Sequence, residues 1–250
     1  MNQPTDPSNS PSTPHSGVPP LPTPTPPLPP DANVGLVLET LLKRPARLIE
    51  ALQERGGATF SMWLAASAFL ALAAYGVVVG TFSGGEQLIA APLKISLGAL
   101  FSMLICLPSL FIFACLTGAE VTLRGTVGVL CAALALTAML LIGFAPVAWV
   151  FSQSTESVAF IGTLHLSFWL ISLGFGLRLL RNFMDLLRVR DRLHLRVWSC
   201  IFVLVSLQMT TALRPIIGTS PQRFPTEKKF FLEHWFDNLA GKRAASESSR

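Results

Sequence analysis

Between Phe60 and Gly218 the chain repeats apolar runs of about 20 residues, each long enough as a helix to cross a hydrocarbon layer about 30 Å thick. In such a layer every backbone N–H and C=O must be paired without water. A single segment meets that demand only as an α-helix. Composition agrees, because 51% of residues are hydrophobic and 13% charged, whereas soluble domains carry roughly 25% charged residues. The sequence predicts an all-α, polytopic membrane helix bundle. Five transmembrane helices are expected, at about Phe60–Phe82, Leu88–Leu116, Thr126–Phe151, Phe160–Leu180 and Val197–Ile217.

Ahead of the spans, residues 1–30 hold twelve of the nineteen prolines, interleaved with Ser, Thr and Asn. Residues 1–32 are expected to be a disordered, proline-rich tail with polyproline II bias. Its P-x-x-P spacings, as in Pro19-Pro20-Leu21-Pro22, fit a flexible spacer, or a ligand for an aromatic groove on a protein partner. Over 33–57, apolar residues recur at Leu38, Leu41, Leu42, Leu48, Ile49 and Leu52 with basic flanks. Asp31 or Asn33 can cap this stretch, Pro45 bends it and Gly56-Gly57 end it. Two amphipathic helices follow, lying either in the headgroup plane or on the bundle. Behind the spans, residues 219–250 form an outer tail, with an interfacial helix expected at about 226–240 around Trp235.

The net charge of +5 comes mostly from residues beside the apolar runs. Lys43, Arg44, Arg47 and Arg55 precede the first run; Arg178, Arg181, Arg188, Arg190, Arg192 and Arg196 fill one connection. This placement suits topology signals and anionic headgroups rather than nucleic acid. The connections 83–87 and 152–159 carry no Lys or Arg. The positive-inside rule therefore puts the amino terminus and the 117–125 and 181–196 connections in the cytoplasm, and five spans put the carboxyl terminus outside. Heavy use of Ala, Leu, Gly, Pro and Arg fits a bacterial source and the cell (inner) membrane.

Ionisable groups inside a span are functional candidates because a charge at the bilayer centre costs several kcal/mol. The candidates form an outer-side polar cluster of Glu86, Gln87, Lys94, Glu156, Gln208 and Arg214, with Lys94 and Arg214 as anchors and Gln208 as an interhelical hydrogen-bond former. His165 is a lone imidazole suited to a structural hydrogen bond. Gly76, Gly80 and Gly84 repeat every four residues, a small-residue face for close packing within the chain or in a homodimer. Pro108 and Pro146 interrupt the helical ladder, so kinks are expected there. No zinc-protease motif, phosphate-binding loop, nucleophile elbow or intramembrane aspartate pair is present. The four cysteines lie inside apolar runs and the four histidines are scattered, so no metal, cofactor or catalytic residue is expected. The function these features imply is a non-enzymatic scaffold or membrane-organising subunit; the alternative is a small transporter or channel component using the outer cluster.

A family resemblance rests on Arg44-Pro45, Tyr75-Gly76 with Gly80, Ala91-Pro92-Leu93-Lys94, Leu107-Pro108-Ser109-Leu110 and Leu213-Arg214-Pro215-Ile216-Ile217-Gly218. With these motifs the chain resembles the Yip-domain superfamily of five-span membrane proteins. More closely, it is similar to a bacterial group sometimes labelled actin-binding through a Wiskott-Aldrich-homology match. The resemblance implies five spans, an outward carboxyl end and a role in membrane shaping or trafficking. The actin label rests on the step Leu41-Leu42-Lys43-Arg44.

Overall fold

The computed structural model describes residues 28–29, 32–54, 56–83, 85, 87–116, 121–155, 157–186 and 192–212. Within them the chain forms α1 (Val34–Lys43), α2 (Pro45–Gln53), α3 (Gly57–Ser83), α4 (Gln87–Leu116), α5 (Leu123–Ser154), α6 (Val158–Leu186) and α7 (Arg192–Ala212). Four helices are long and apolar enough to cross a membrane: Gly57–Phe82, Leu88–Leu116, Leu123–Ser154 and Phe160–Asp185. The chain is thus an all-helical, multi-pass membrane protein.

The expected fifth span, Val197–Ile217, is corrected. The apolar helix at that place runs only from Leu193 to Met209, shorter than a span. Its first turns also carry His194 and Arg196, both exposed. Summed hydropathy made the stretch look longer because Pro215-Ile216-Ile217 was counted with it, and those residues lie outside the described ones. An outward carboxyl terminus followed from a fifth span and falls with it.

α1 and α2 cap one end of the bundle. Asn33 starts α1, its Oδ1 accepting from the Leu36 amide at 2.9 Å, one of the donors a helix start leaves unpaired. Arg44 separates the helices and Pro45 begins α2 at the position where a missing N–H does no harm. Their inner faces, Val37, Leu41, Leu48, Ile49 and Leu52, are buried, so the pair lies on the bundle rather than out in the headgroup plane. Leu28 joins the same buried cluster, and the Ala32 amide donates to the Pro29 carbonyl at 3.0 Å. The last residues of the expected tail therefore belong to the cap. The rest of that tail, and the helix expected at 226–240, lie outside the described residues.

α5 is the most enclosed of the spans, gripped by α3 on one side and α6 on another. Small residues set the distance. A Cβ added to Gly128 would stand 2.9 Å from Ser61 Oγ on α3 and 3.0 Å from Leu52 Cδ2 on α2. One added to Gly176 on α6 would meet the Ala133 carbonyl of α5 at 2.7 Å and run into the Thr137 hydroxyl. Further out, Phe144 and Phe168 stack with centroids 4.7 Å apart. α3 and α5 run parallel, α4 and α6 run the other way, and α7 leans on α4. Because Leu52 fills the space over Gly128, Leu52→Ala should leave a cavity and lower stability by about 3 kcal/mol. Denaturant titration of the purified protein in detergent, followed by circular dichroism, checks this; a loss under about 1 kcal/mol would mean that the cap is not part of the cooperative fold.

Candidate functional site

Of the residues singled out in the sequence as an outer polar cluster, Glu86, Glu156 and Arg214 lie outside the described residues, and so does the Gln87 side chain. Lys94 is half-buried on α4 and Gln208 is exposed on α7. Lys94 and Gln208 thus stand on two helices, α4 and α7, that pack on each other.

The glycine face is used within the chain. Gly76 and Gly80 are buried, and a Cβ on Gly76 would stand 2.9 Å from the Pro92 nitrogen and 3.2 Å from the Ala91 carbonyl oxygen. Any side chain at Gly76 would push α3 and α4 apart. Gly84 lies outside the described residues. The helices carry their prolines without ending: α4 continues past Pro92 and Pro108, and α5 past Pro146. Next to Pro108, the Ser109 hydroxyl donates to the Cys106 carbonyl at 2.8 Å.

The same two residues receive α7. Trp198 is fully buried, and its indole N–H points at the Cys106 carbonyl, 3.2 Å away, and at Ser109 Oγ, 3.1 Å away. Phe202 stacks on the indole with centroids 5.2 Å apart. A tryptophan with its polar edge paired and its rings enclosed is a strong latch. The sequence gives no sign of this, because the partners are some 90 positions apart and each looks like an ordinary apolar-run residue.

The polar centre of the described bundle is a pair that sequence reasoning only half found. His165 on α6 finds its partner in Tyr75, the chain's one tyrosine, with Oη and Nδ1 2.7 Å apart and the rings edge to face. The residues are 3% and 7% exposed, so the bond is shielded from competing water. With the phenol donating to Nδ1, the ring proton sits on Nε2, an atom that is buried without a hydrogen-bond partner. The bond ties α3 directly to α6, two helices that otherwise meet mainly through α5.

Among the described residues, no group of three His, Cys, Asp or Glu is placed to hold a metal ion. The described cysteines are free thiols, Cys106 and Cys131 buried and Cys115 and Cys200 exposed. The charged side chains instead collect at the capped end. There the exposed Glu39 and Lys43 form an ion pair at 2.9 Å, which holds the Glu39 carboxyl below its ordinary range.

No family model matches the chain, and neither a curated protein nor a solved structure matches it. The Yip-domain resemblance and its actin-binding label are corrected by that result and by the four-span architecture. Part of the motif set has a plainer origin. Ala91-Pro92 is the surface against which Gly76 packs, and Pro108-Ser109 belongs to the seat of Trp198, so these pairs mark helix contacts that many bundles use.

Two outcomes follow from this geometry. Gly76→Leu should sharply lower yield and melting temperature in detergent, whereas Gly143→Leu, where a Cβ meets nothing within 4 Å, should leave both near wild type; equal behaviour would remove the close-contact role. A double-mutant cycle of Tyr75→Phe and His165→Leu should give a coupling of about 0.6–1.7 kcal/mol, the range for hydrogen bonds between membrane helices. Additive losses would show that the pair contributes only its packing.

Proposed function

We propose that this chain is a non-enzymatic, multi-pass membrane scaffold that presents one basic end to cytoplasmic partners and to anionic headgroups. One observation carries the reading: apart from Lys94, every Lys, Arg, Asp and Glu among the described residues sits at the same end of the bundle. They belong to the α1–α2 cap, the start of α5, the end of α6 and the start of α7, and they comprise eight basic and four acidic residues. A bundle polarised in this way presents one charged face, with Lys94 the exception among the described residues. The positive-inside bias supports putting the charged end, with the amino terminus and the 117–125 and 181–196 connections, in the cytoplasm of the cell membrane.

The interior supports the same reading. The buried polar side chains among the described residues are serines, threonines and His165, and most of these hydroxyls bond back to a carbonyl of their own helix, as Ser61, Ser102 and Thr137 do. Such an interior holds helices together. Ion-coupled transport usually draws on carboxylates near mid-membrane.

Crosslinking mass spectrometry in native membranes, with an affinity handle on the amino-terminal tail and an inert membrane protein as control, tests the scaffold role. The expected result is a specific partner joined through residues 1–59 or 181–196. Recovery of lipid and self-crosslinks alone would count against it and direct attention to transport assays.

A further inference from the structure

Two of the arginines at the charged end stand on α6 itself, inside the candidate span Phe160–Asp185. That span is about 39 Å long at 1.5 Å per residue, longer than the roughly 30 Å hydrocarbon core. Arg178 and Arg181 therefore fall where the last turns of the helix leave the hydrocarbon for the headgroups. A charge at this depth needs a counter-charge or water. Both guanidiniums are exposed, and one turn beyond Arg181 the exposed Asp185 carboxylate stands on the same stripe, on the side away from the hydrocarbon.

Their surroundings on the helix are specific. The inner stripe of α6, through Ile161, Ser172, Gly176, Leu180 and Phe183, is buried. On the outer stripe, Ile171 and Phe175 are 47% and 49% exposed and lead at helical spacing to Arg178 and Arg181. Between them Gly174 leaves a notch, since a Cβ there would meet nothing within 4 Å. It lies one turn, about 6 Å, from Arg178 on the side of the hydrocarbon. An apolar track, a gap in it and two cations just beyond match an amphiphile with two tails and one anionic phosphate. A soluble acidic protein would match the cations and leave the track unused.

We propose that the outer face of α6 binds one anionic phospholipid of the adjoining leaflet, its phosphate between Arg178 and Arg181 and an acyl chain along Gly174 and Ile171. The site rests on the reading that the basic end meets anionic headgroups and narrows it to one face of one helix. Arginine suits the role, since its planar fork pairs with phosphate through two hydrogen bonds at once.

Native mass spectrometry of the full chain in detergent, with phosphatidylglycerol or phosphatidylcholine added in equal amounts, tests the site. Wild type should retain one phosphatidylglycerol in preference to phosphatidylcholine. In R178Q/R181Q that retention should fall about twenty-fivefold, roughly fivefold for each arginine near an anionic lipid; R181Q alone should lose about fivefold and serves if the double variant does not fold. Gly174→Leu, which fills the notch without a clash, should lower retention severalfold, and excess inorganic phosphate, which offers the charge without the chains, should not displace the lipid. Unchanged retention in R178Q/R181Q, an equal loss in R192Q/R196Q, or displacement by inorganic phosphate would overturn the site while leaving a diffuse attraction to the basic end. Equal retention of both lipids by wild type would overturn both.

Discussion

Inside a bilayer the neighbours of a helix are as apolar as lipid tails, so helices associate through close packing rather than through release of water. This chain meets that constraint with backbone contact around α5. The half of α5 nearest the α1–α2 cap is built largely from Gly125, Thr126, Gly128, Ala132, Ala133, Ala135, Thr137 and Ala138, all buried. Short side chains there let α3, α6 and the α2 cap approach far enough for dispersion contacts to accumulate. The other half of the same helix carries Ile142, Val147, Trp149, Val150 and Phe151, all at least 40% exposed. α5 is thus clasped on several sides near the cap and more exposed towards its other end.

Towards the other end, a polar bond adds to the packing. Tyr75 and His165 bridge α3 and α6, which otherwise meet mainly through α5, and the bond gains from the absence of competing water. On the far side, α7 has α4 as its main support, and the Trp198 latch fixes it to one turn of that helix. A neutral hydrogen bond and an indole N–H are modest terms beside the apolar contacts, yet they are directional. They select one register among the many that smooth apolar faces allow.

The four spans were legible because a run of about 20 apolar residues has one solution in a bilayer, and the two helices of the cap had their signals in Asn33 and Pro45, whereas α2 stops at Gln53, ahead of the paired glycines, and Gly57 already opens α3. The fifth span was misread for a physical reason: hydropathy averages over residues, so Pro215 and its apolar neighbours lengthened the short apolar stretch Leu193–Met209 into a crossing. What stayed hidden were the pairings. Nothing in the environment of His165 names Tyr75, ninety positions earlier, and Trp198 gives no hint of Ser109. Side chains on different helices meet according to how each helix is rotated, and the glycines that set the rotation, Gly128 and Gly176, look in sequence like any others in an apolar run. Gly76, with its four-residue repeat, was the one contact glycine that periodicity exposed.

That rotation also decides what the outer surface offers. Once Gly176 seats α6 against the Ala133 carbonyl, the opposite stripe of α6 has no freedom: Ile171, Gly174, Phe175, Arg178 and Arg181 must face away from the bundle. The two arginines are therefore turned to the surface by packing on the far side of the same helix. A helix locked on one side and charged on the other converts the tight clasp around α5 into a fixed presentation of charge at the membrane boundary. The small-residue contacts around α5 thereby decide which stripe of α6, and so which of its charges, face outward.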